Sequence, residues 1–496
     1  MSVRTHAAIL SGKVARSATR TLGRGGTALP GLIAERVDPA IVSELATKLE
    51  TSVLVTGTNG KTTTARMLAE ILSADGRTVV HNRAGSNLMR GITAALVEAA
   101  GPLGRLPTDA VAVFETDEAT VPEAARAIKP RVLVVTNLMR DQLDRYGEID
   151  AIRERWVSTI RALDRETTLV LNADDPSVAT LAEHAQGPVV LYGIEDPAVA
   201  LSPDAAAEHA ADALWDPTSG ADYIYERRFY AHLGHWQCVG VGRKRPRPDI
   251  RAVAIEQRSG RLRFGVASGG AASNGVVAGS GLAGSAPARG GPGLEEVESV
   301  QVGLSGVYNV YNAIAALAAS RVLEVPAELS AAALGRVSAV FGRQEELIVQ
   351  GHAVRILLGK NPAGMNEALR TLQTGSGQAD QPPHQVLVLL NDGLADGTDV
   401  SWIWDTDWES LAPYVRSVWV GGTRASDMAL RLMYAGFPEP RLAEASPHDI
   451  AAALDLVLSE LPEGAPLVVL PTYTAMLEVR ERLGRMAGAR RIWEGA

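Results

Sequence analysis

Short aliphatic and β-branched runs alternate with stretches of helical periodicity through the first third of the chain. The runs are Ser52–Val55, Ala110–Phe114, Val132–Thr136 and Thr168–Leu171. Apart from Ser or Thr at an end, each is continuously apolar, as strands buried on both faces are. Between them Thr62–Ala74, Leu88–Ala99, Val121–Ile128 and Ala151–Leu163 repeat apolar residues every three or four positions. The alternation predicts βαβ units and a mainly parallel sheet, an α/β fold whose ligands lie beyond the carboxyl ends of the strands. Residues 200–250 break the rhythm with crowded aromatics, Gly and Pro. Residues 267–293 are so rich in Gly, Ala and Ser that a flexible loop is predicted there. Helical patterns return at Asn309–Val322 and Ala327–Val340. A second set of runs follows at Val354–Leu358, Gln385–Leu390, Ser417–Val420 and Leu467–Leu470. The expected organisation is an N-terminal helical segment over 1–45, a central α/β domain over 46–340 with a ribbon-like β insertion at about 200–300, and a C-terminal α/β domain over 341–496.

The most specific stretch runs from Val53 to Thr64, VLVTGTNGKTTT. A β-branched run feeds a glycine turn, and a lysine and hydroxyls then open a helix. That order builds a phosphate cradle, because successive backbone N–H groups and a helix N-terminus face one anion. Gly57, Thr58, Asn59, Gly60, Lys61, Thr62 and Thr63 are the expected nucleotide-binding residues. Lys61 would reach the β- and γ-phosphates of ATP, and Thr62 would ligate Mg²⁺. The strict G-x-x-x-x-G-K-[ST] pattern fails at its first position, Val55, so the usable core is TGTNGKTT.

Other candidates fall at strand ends. Glu115 closes the run AVAVF, where a carboxylate suits a hard cation that takes few protein ligands and keeps its waters. It is the second candidate Mg²⁺ ligand, with acidic capping of the next helix as the competing account of ETDE. Asn309 and Asn312 share one helix face and can address an adenine edge or a phosphate; capping is the alternative. Arg343 sits at the presumed domain junction, where it could neutralise transferring phosphate charge on closure or be a surface hinge residue. Asp396, Asp399 and Asp405 stand among Trp402 and Trp404, a composition that fits an interface or a ligand wall better than a plain loop.

Bulk composition narrows the classes. A net charge of −9 argues against nucleic acid as a partner, and a single cysteine, Cys238, excludes an intrachain disulfide framework. No apolar run has membrane-spanning length, so a soluble cytoplasmic protein is expected. Arg4, Lys13, Arg16, Arg20 and Arg24 all precede the first acid, Glu35. They describe either a helix packed on the next domain with a solvated basic face, or a basic amphipathic helix lying on an anionic membrane.

TGTNGKTT, ETDE, NADDP, YNVYNA and FGRQE, in this order, resemble the Mur ligase family, which activates a carboxylate with ATP and couples an amine to it. The resemblance implies a P-loop ATP-binding domain with a parallel sheet and a small ribbon-like insertion, then a Rossmann-like C-terminal domain. It also implies ATP and Mg²⁺. The segment before Thr51 is too short for the UDP-sugar-binding domain of the soluble-precursor ligases. RDQLDRYGEID, YAHLG, LGKNPAG, NDGLADGTDVSWIWD, GTRASDMALRL and LPTYTAML resemble one branch, the synthetase subunits that amidate lipid II as heterodimers with a GatD-type glutaminase. That implies conversion of the stem-peptide D-glutamate α-carboxylate to an amide through an acyl-phosphate, at or near the inner face of the plasma membrane. By resemblance Asp399 matches an aspartate that completes the partner's Cys–His pair, and Lys61 and Arg343 serve phosphoryl transfer. In many members of this branch the region around Tyr230–Gly234 resembles a four-cysteine zinc ribbon. Here Asp216, Ser219, Cys238 and Val241 occupy those positions, so a ribbon without zinc is expected. The alternatives are an amino-acid-adding ligase of the stem-peptide or folylpolyglutamate type, and a non-catalytic ATP-binding scaffold.

Overall fold

A computed structural model describes residues 2–21, 28–82, 86–140, 149–202, 212–258, 260–268, 296–337, 343–376, 383–443 and 449–487. Among them, a nine-stranded sheet runs Glu296–Val302, Arg261–Ser268, Ile250–Arg258, Val189–Ile194, Thr168–Asn172, Val132–Val135, Thr51–Thr56, Ala110–Glu115, Thr78–His81. Pairing is parallel from Ile250–Arg258 to Thr78–His81, and the last two strands to join, at the opposite edge, are antiparallel. The strand feeding the glycine turn lies between Val132–Val135 and Ala110–Glu115, so the motifs after all three strands meet at one end of the sheet.

Both faces are covered, which is why the strands read as continuous apolar runs. Lys61–Ala74 and Val307–Val322 form one layer with the core around Val53, Met67, Ile314 and Phe264. Val307–Val322 is apolar around nearly its whole circumference and is accordingly buried from Val307 to Ser320, Tyr308 excepted. The other layer is Met89–Ala99, Val121–Ile128 and Ile149–Arg161, with the core around Leu54, Phe114 and Trp156. Val3–Thr21 packs outside that layer on Leu29–Val37, burying Thr5, Ala8, Ile9, Gly12 and Ala15. The packed-helix account of the N-terminal segment therefore describes its inner face.

The second sheet runs Arg343–Val349, His352–Leu357, Leu467–Pro471, His384–Leu389, Val415–Gly421, Arg441–Leu442 and is parallel apart from its first pair. The separate β insertion is narrower than the expected 200–300. Only Tyr223–Tyr230, Leu233–Cys238 and Arg243–Lys244 form a separate ribbon. Ile250–Arg258 instead pairs in parallel with Val189–Ile194, and Arg261–Ser268 and Glu296–Val302 extend the main sheet from it. The helix expected to reach Val340 is Ala327–Leu334. All but the first two residues of the Gly/Ala/Ser-rich 267–293 lie outside the described residues.

Candidate active site between the two domains

The strand Thr51–Thr56 ends in Gly57, with φ of 125°, and Gly60, with φ of 86°, precedes the helix Lys61–Ala74. Both conformations favour glycine, and neighbours close the same positions to a side chain. A Cβ on Gly57 would lie 2.2 Å from Thr136 Oγ1, and one on Gly60 would lie 2.0 Å from Asn312 Oδ1. The helix has no side-chain hydrogen bond capping it at Gly60, and it turns the positive end of its dipole toward the loop. The loop is braced by the next strand end. Thr58 N–H donates to Asn137 O at 3.0 Å, Asn59 N–H to Asn137 Oδ1 at 2.8 Å, and Thr136 Oγ1 to Asn59 O at 2.8 Å.

Lys61 is buried. Its Nζ donates to the carbonyls of Gly57 and Thr58 at 2.5 and 3.1 Å and to Glu118 Oε1 at 2.9 Å. Thr62 Oγ1 donates to Glu115 Oε2 at 2.9 Å. Asn82 fixes the Glu115 backbone by accepting its N–H at 2.8 Å and donating to its carbonyl at 2.8 Å. A hydroxyl and a carboxylate thus meet beside the anion cradle, a donor set that fits Mg²⁺, which needs few protein oxygens and takes others from phosphate and water.

These residues line a cavity of about 300 Å³ between the domains. Opposite the cradle, the strand His352–Leu357 leads through Lys360 and Asn361 into the helix Pro362–Ser376. Asn361 Nδ2 donates to Asn59 Oδ1 at 3.1 Å and ties the two walls together. Gly364, Glu367 and Thr371 repeat on the cavity side of that helix. Burial pushes the Glu367 carboxyl up to about 7, and a hydrogen bond from the Val307 backbone restrains the rise. Tyr230, the first residue of YAHLG, completes the wall and accepts from Asn59 Nδ2 at 3.1 Å.

The expected residues fall in three groups. Thr58, Asn59, Gly60, Lys61, Thr62, Glu115 and Asn312 line the cavity. Gly57 shapes the loop and Thr63 stands in the first helical turn beneath it. Asn309 does not line the cavity: its Nδ2 donates to Ser305 O at 2.7 Å and its Oδ1 accepts from Asn312 at 3.0 Å, which orients Asn312 under Gly60. Arg343 begins the second domain's first strand, and its side chain lies outside the described residues. Asp399 is exposed, away from the cavity, and accepts Ser401 N–H at 2.8 Å where the short helix Ser401–Asp405 begins.

Glu118 and Glu367 also line the cavity, and neither is among the residues expected from sequence. Glu118 closes ETDE and was visible as a fourth polar residue at a strand end. Glu367 carried a signal only in its spacing of seven from Lys360 and three from Gly364. In the ribbon, the Asp216 carboxylate accepts from Ser219 N at 3.1 Å, Ser219 Oγ at 2.6 Å and Arg243 at 3.3 Å. Cys238 is buried, its thiol 3.6 Å from Ala221 O.

Comparison with known proteins agrees with this architecture. Residues 55–222 match the Mur ligase middle domain, and residues 358–476 match the MurT ligase C-terminal domain. The chain is 32% identical over 486 residues to the lipid II isoglutaminyl synthase (glutamine-hydrolyzing) subunit MurT of Streptococcus pneumoniae (strain ATCC BAA-255 / R6), covering 97% of this chain and 98% of that one. It is 30% identical over 485 residues to the same subunit of Staphylococcus aureus (strain COL), with the same coverage. Among solved structures, a pseudomurein peptide ligase type C from Methanothermus fervidus superposes with a TM-score of 0.62 at 22% identity, covering 89% of this chain and 80% of that one. Mycobacterium tuberculosis folylpolyglutamate synthase, solved with ADP and AMPPCP, superposes with a TM-score of 0.57 at 16% identity, covering 90% and 95%.

Proposed function

The chain belongs to the MurT family of Mur-type ligases, enzymes of peptidoglycan synthesis, and from that premise we propose that it amidates the D-glutamate α-carboxylate of the lipid II stem peptide. The observation that carries this reading is the pairing of Lys61 and the Thr62–Glu115 contact with an uncapped helix N-terminus on one wall of an interdomain cavity. Such a wall holds a triphosphate. ATP turns the carboxylate into something ammonia can displace: a carboxylate oxygen bonds to the γ-phosphorus and ADP departs. Ammonia then adds to the carbonyl carbon, loses a proton, and phosphate leaves with the former carboxylate oxygen. Positioning and charge neutralisation supply most of the catalysis in phosphoryl transfer. Lys61 would leave its loop carbonyls for phosphate oxygens, and Thr62 and Glu115 would hold Mg²⁺, which would supply neutralisation of phosphate charge. Arg343 stands at the junction from which a guanidinium can clamp the transferring group.

The ammonia source is a separate GatD-type glutaminase. Cys238 is buried in the ribbon and has no catalytic setting. Asp399 is the residue offered to that partner, as the third member of its Cys–His pair. The surface nearby supports docking: Trp404, Leu430, Met433 and Tyr434 are 47, 48, 60 and 73% exposed, and Trp404 packs edge-on to Tyr434 at 5.7 Å. Among the described residues no helix is long and apolar enough to cross a membrane, so a lipid-linked substrate would be met peripherally, at the inner membrane face.

The test is reconstitution with the glutaminase, glutamine, ATP and lipid II, followed by mass spectrometry. The reading expects the mass change of OH replaced by NH₂; addition of an amino acid residue would contradict it. Asp399→Asn is expected to abolish glutamine-driven amidation by on the order of 10³-fold while ammonium-driven amidation persists. Equal loss with both nitrogen sources would contradict the partner role.

A further inference from the structure

The helix Val3–Thr21 has two apolar faces. Thr5, Ala8, Ile9, Gly12 and Ala15 are buried on the domain. On the opposite side Val3, Ala7, Leu10 and Val14 recur at i, i+4, i+7 and i+11, all exposed, with Val3, Leu10 and Val14 at 89, 51 and 69%. A helix that only rested on its domain would turn a polar face to water. Arg4 borders this outer stripe on one side and Lys13 on the other, as helical geometry requires of those positions. The helix also carries Arg16 and Arg20 and no acid, in a chain whose net charge is −9. Arg4 is anchored by donating to Val37 O at 2.6 Å, and Arg16 is paired with Glu98.

We propose that this outer face of Val3–Thr21 is a docking surface for an anionic phospholipid bilayer, with the apolar stripe entering the headgroup boundary and the bordering Arg4 and Lys13, whose backbone-carbonyl contacts leave their charge unneutralised, set beside lipid phosphates. A second copy of the chain fits the face poorly, because a paired stripe would set cation against cation. The placement also serves the site, and here the inference rests on the proposal that the substrate is lipid-linked. Lys13 and Arg16 contact Glu98 near the end of the helix Met89–Ala99, and Leu88, just before that helix, lines the interdomain cavity. The 11 residues of Met89–Ala99 span about 16 Å, so the inner edge of Val3–Thr21 and the cavity mouth lie at opposite ends of one short helix, with the docking face about one helix diameter, ~10 Å, further out. A headgroup-borne peptide can bridge that distance while its lipid stays in the bilayer.

The experiment is co-sedimentation of the full chain with vesicles of phosphatidylglycerol or of phosphatidylcholine, beside the double variant Leu10→Glu/Val14→Glu. The wild type is expected to sediment with phosphatidylglycerol vesicles, to prefer them to phosphatidylcholine, and to lose that preference at high salt. The variant, with an unchanged thermal midpoint, is expected to partition about tenfold or more weakly. Equal sedimentation of variant and wild type, or a wild type that stays in the supernatant, would overturn the proposal. So would a wild-type dimer that the variant dissolves, or a variant that no longer binds the glutaminase. Amidation of detergent-solubilised lipid II separates the two claims. The variant should retain it, and a wild type lacking it would refute the proposed function while leaving the vesicle result to judge the docking face.

Discussion

Two strand–turn–helix junctions face each other across the cavity and are built differently. In the first, Thr51–Thr56 enters Lys61–Ala74 through two glycines at positive φ, with no side chain on the helix N-terminus. In the second, His352–Leu357 enters Pro362–Ser376 through Asn361, whose Oδ1 accepts Gly364 N–H at 2.8 Å. That amide occupies the place an anion would take. One junction keeps its donors for phosphate, and the other spends them on itself and offers side chains instead: Lys360, Glu367 and the amide that reaches Asn59. Similar topology therefore does not mean a second phosphate site. Under the proposed function, the asymmetry of the caps makes one wall the nucleotide wall and leaves the other to position the acceptor and hold the domains in register.

The difference can be broken most severely at Lys61. Lys61→Ala removes the cation nearest the cradle and the buried ion pair it makes with Glu118. Amidation should fall by on the order of 10³-fold with the fold intact, as measured by steady-state kinetics beside circular dichroism. Lys360→Ala should cost far less; equal losses would erase the distinction between the walls. A smaller effect is expected at Asn361. Asn361→Ala removes a cap and the tie to Asn59, at a cost of about 1 kcal/mol in stability. Asn361→Ser should restore the cap without the tie, so a loss of activity that persists in Ser separates register from helix stability. The smallest effect is at Glu367. Its folded carboxyl lies above its unfolded value of about 4.5, so between roughly pH 4.5 and 7 the folded state binds the extra proton. Stability should fall as pH rises through that window and level off above it. Glu367→Gln should flatten this slope in a thermal-unfolding series; an unchanged slope would place the titration elsewhere.

How much of this was legible follows from how local each feature is. The first junction could be read from residues 53–64 alone, because glycine conformation, strand propensity and an uncapped helix start are written in adjacent positions. The parallel pairing around Thr51–Thr56, though not the strand order, was readable from the alternation of runs and helices. The ion pair of Lys61 with Glu118 joins residues 57 apart in sequence and needs the strand pairing of Thr51–Thr56 with Ala110–Glu115. Glu367 reads as an ordinary exposed helix residue, and only packing against the Tyr230 and Gly306 side buries it. The width of the insertion was misjudged for a similar reason. The change of composition after residue 200 is local, whereas the return of Ile250–Arg258 to the main sheet is decided by Val189–Ile194 far upstream. Asn309 and Asn312 do share a helix face, but periodicity says nothing of Ser305 O, which takes the first amide.

The central claim is that the carboxylate is activated by phosphoryl transfer at the first junction before nitrogen arrives. The direct measurement is oxygen tracing with lipid II labelled with ¹⁸O in the D-glutamate α-carboxylate. Turnover with ATP and ammonium should deliver one labelled carboxylate oxygen into inorganic phosphate for each amide formed. Amide formation that leaves the phosphate unlabelled would contradict the account.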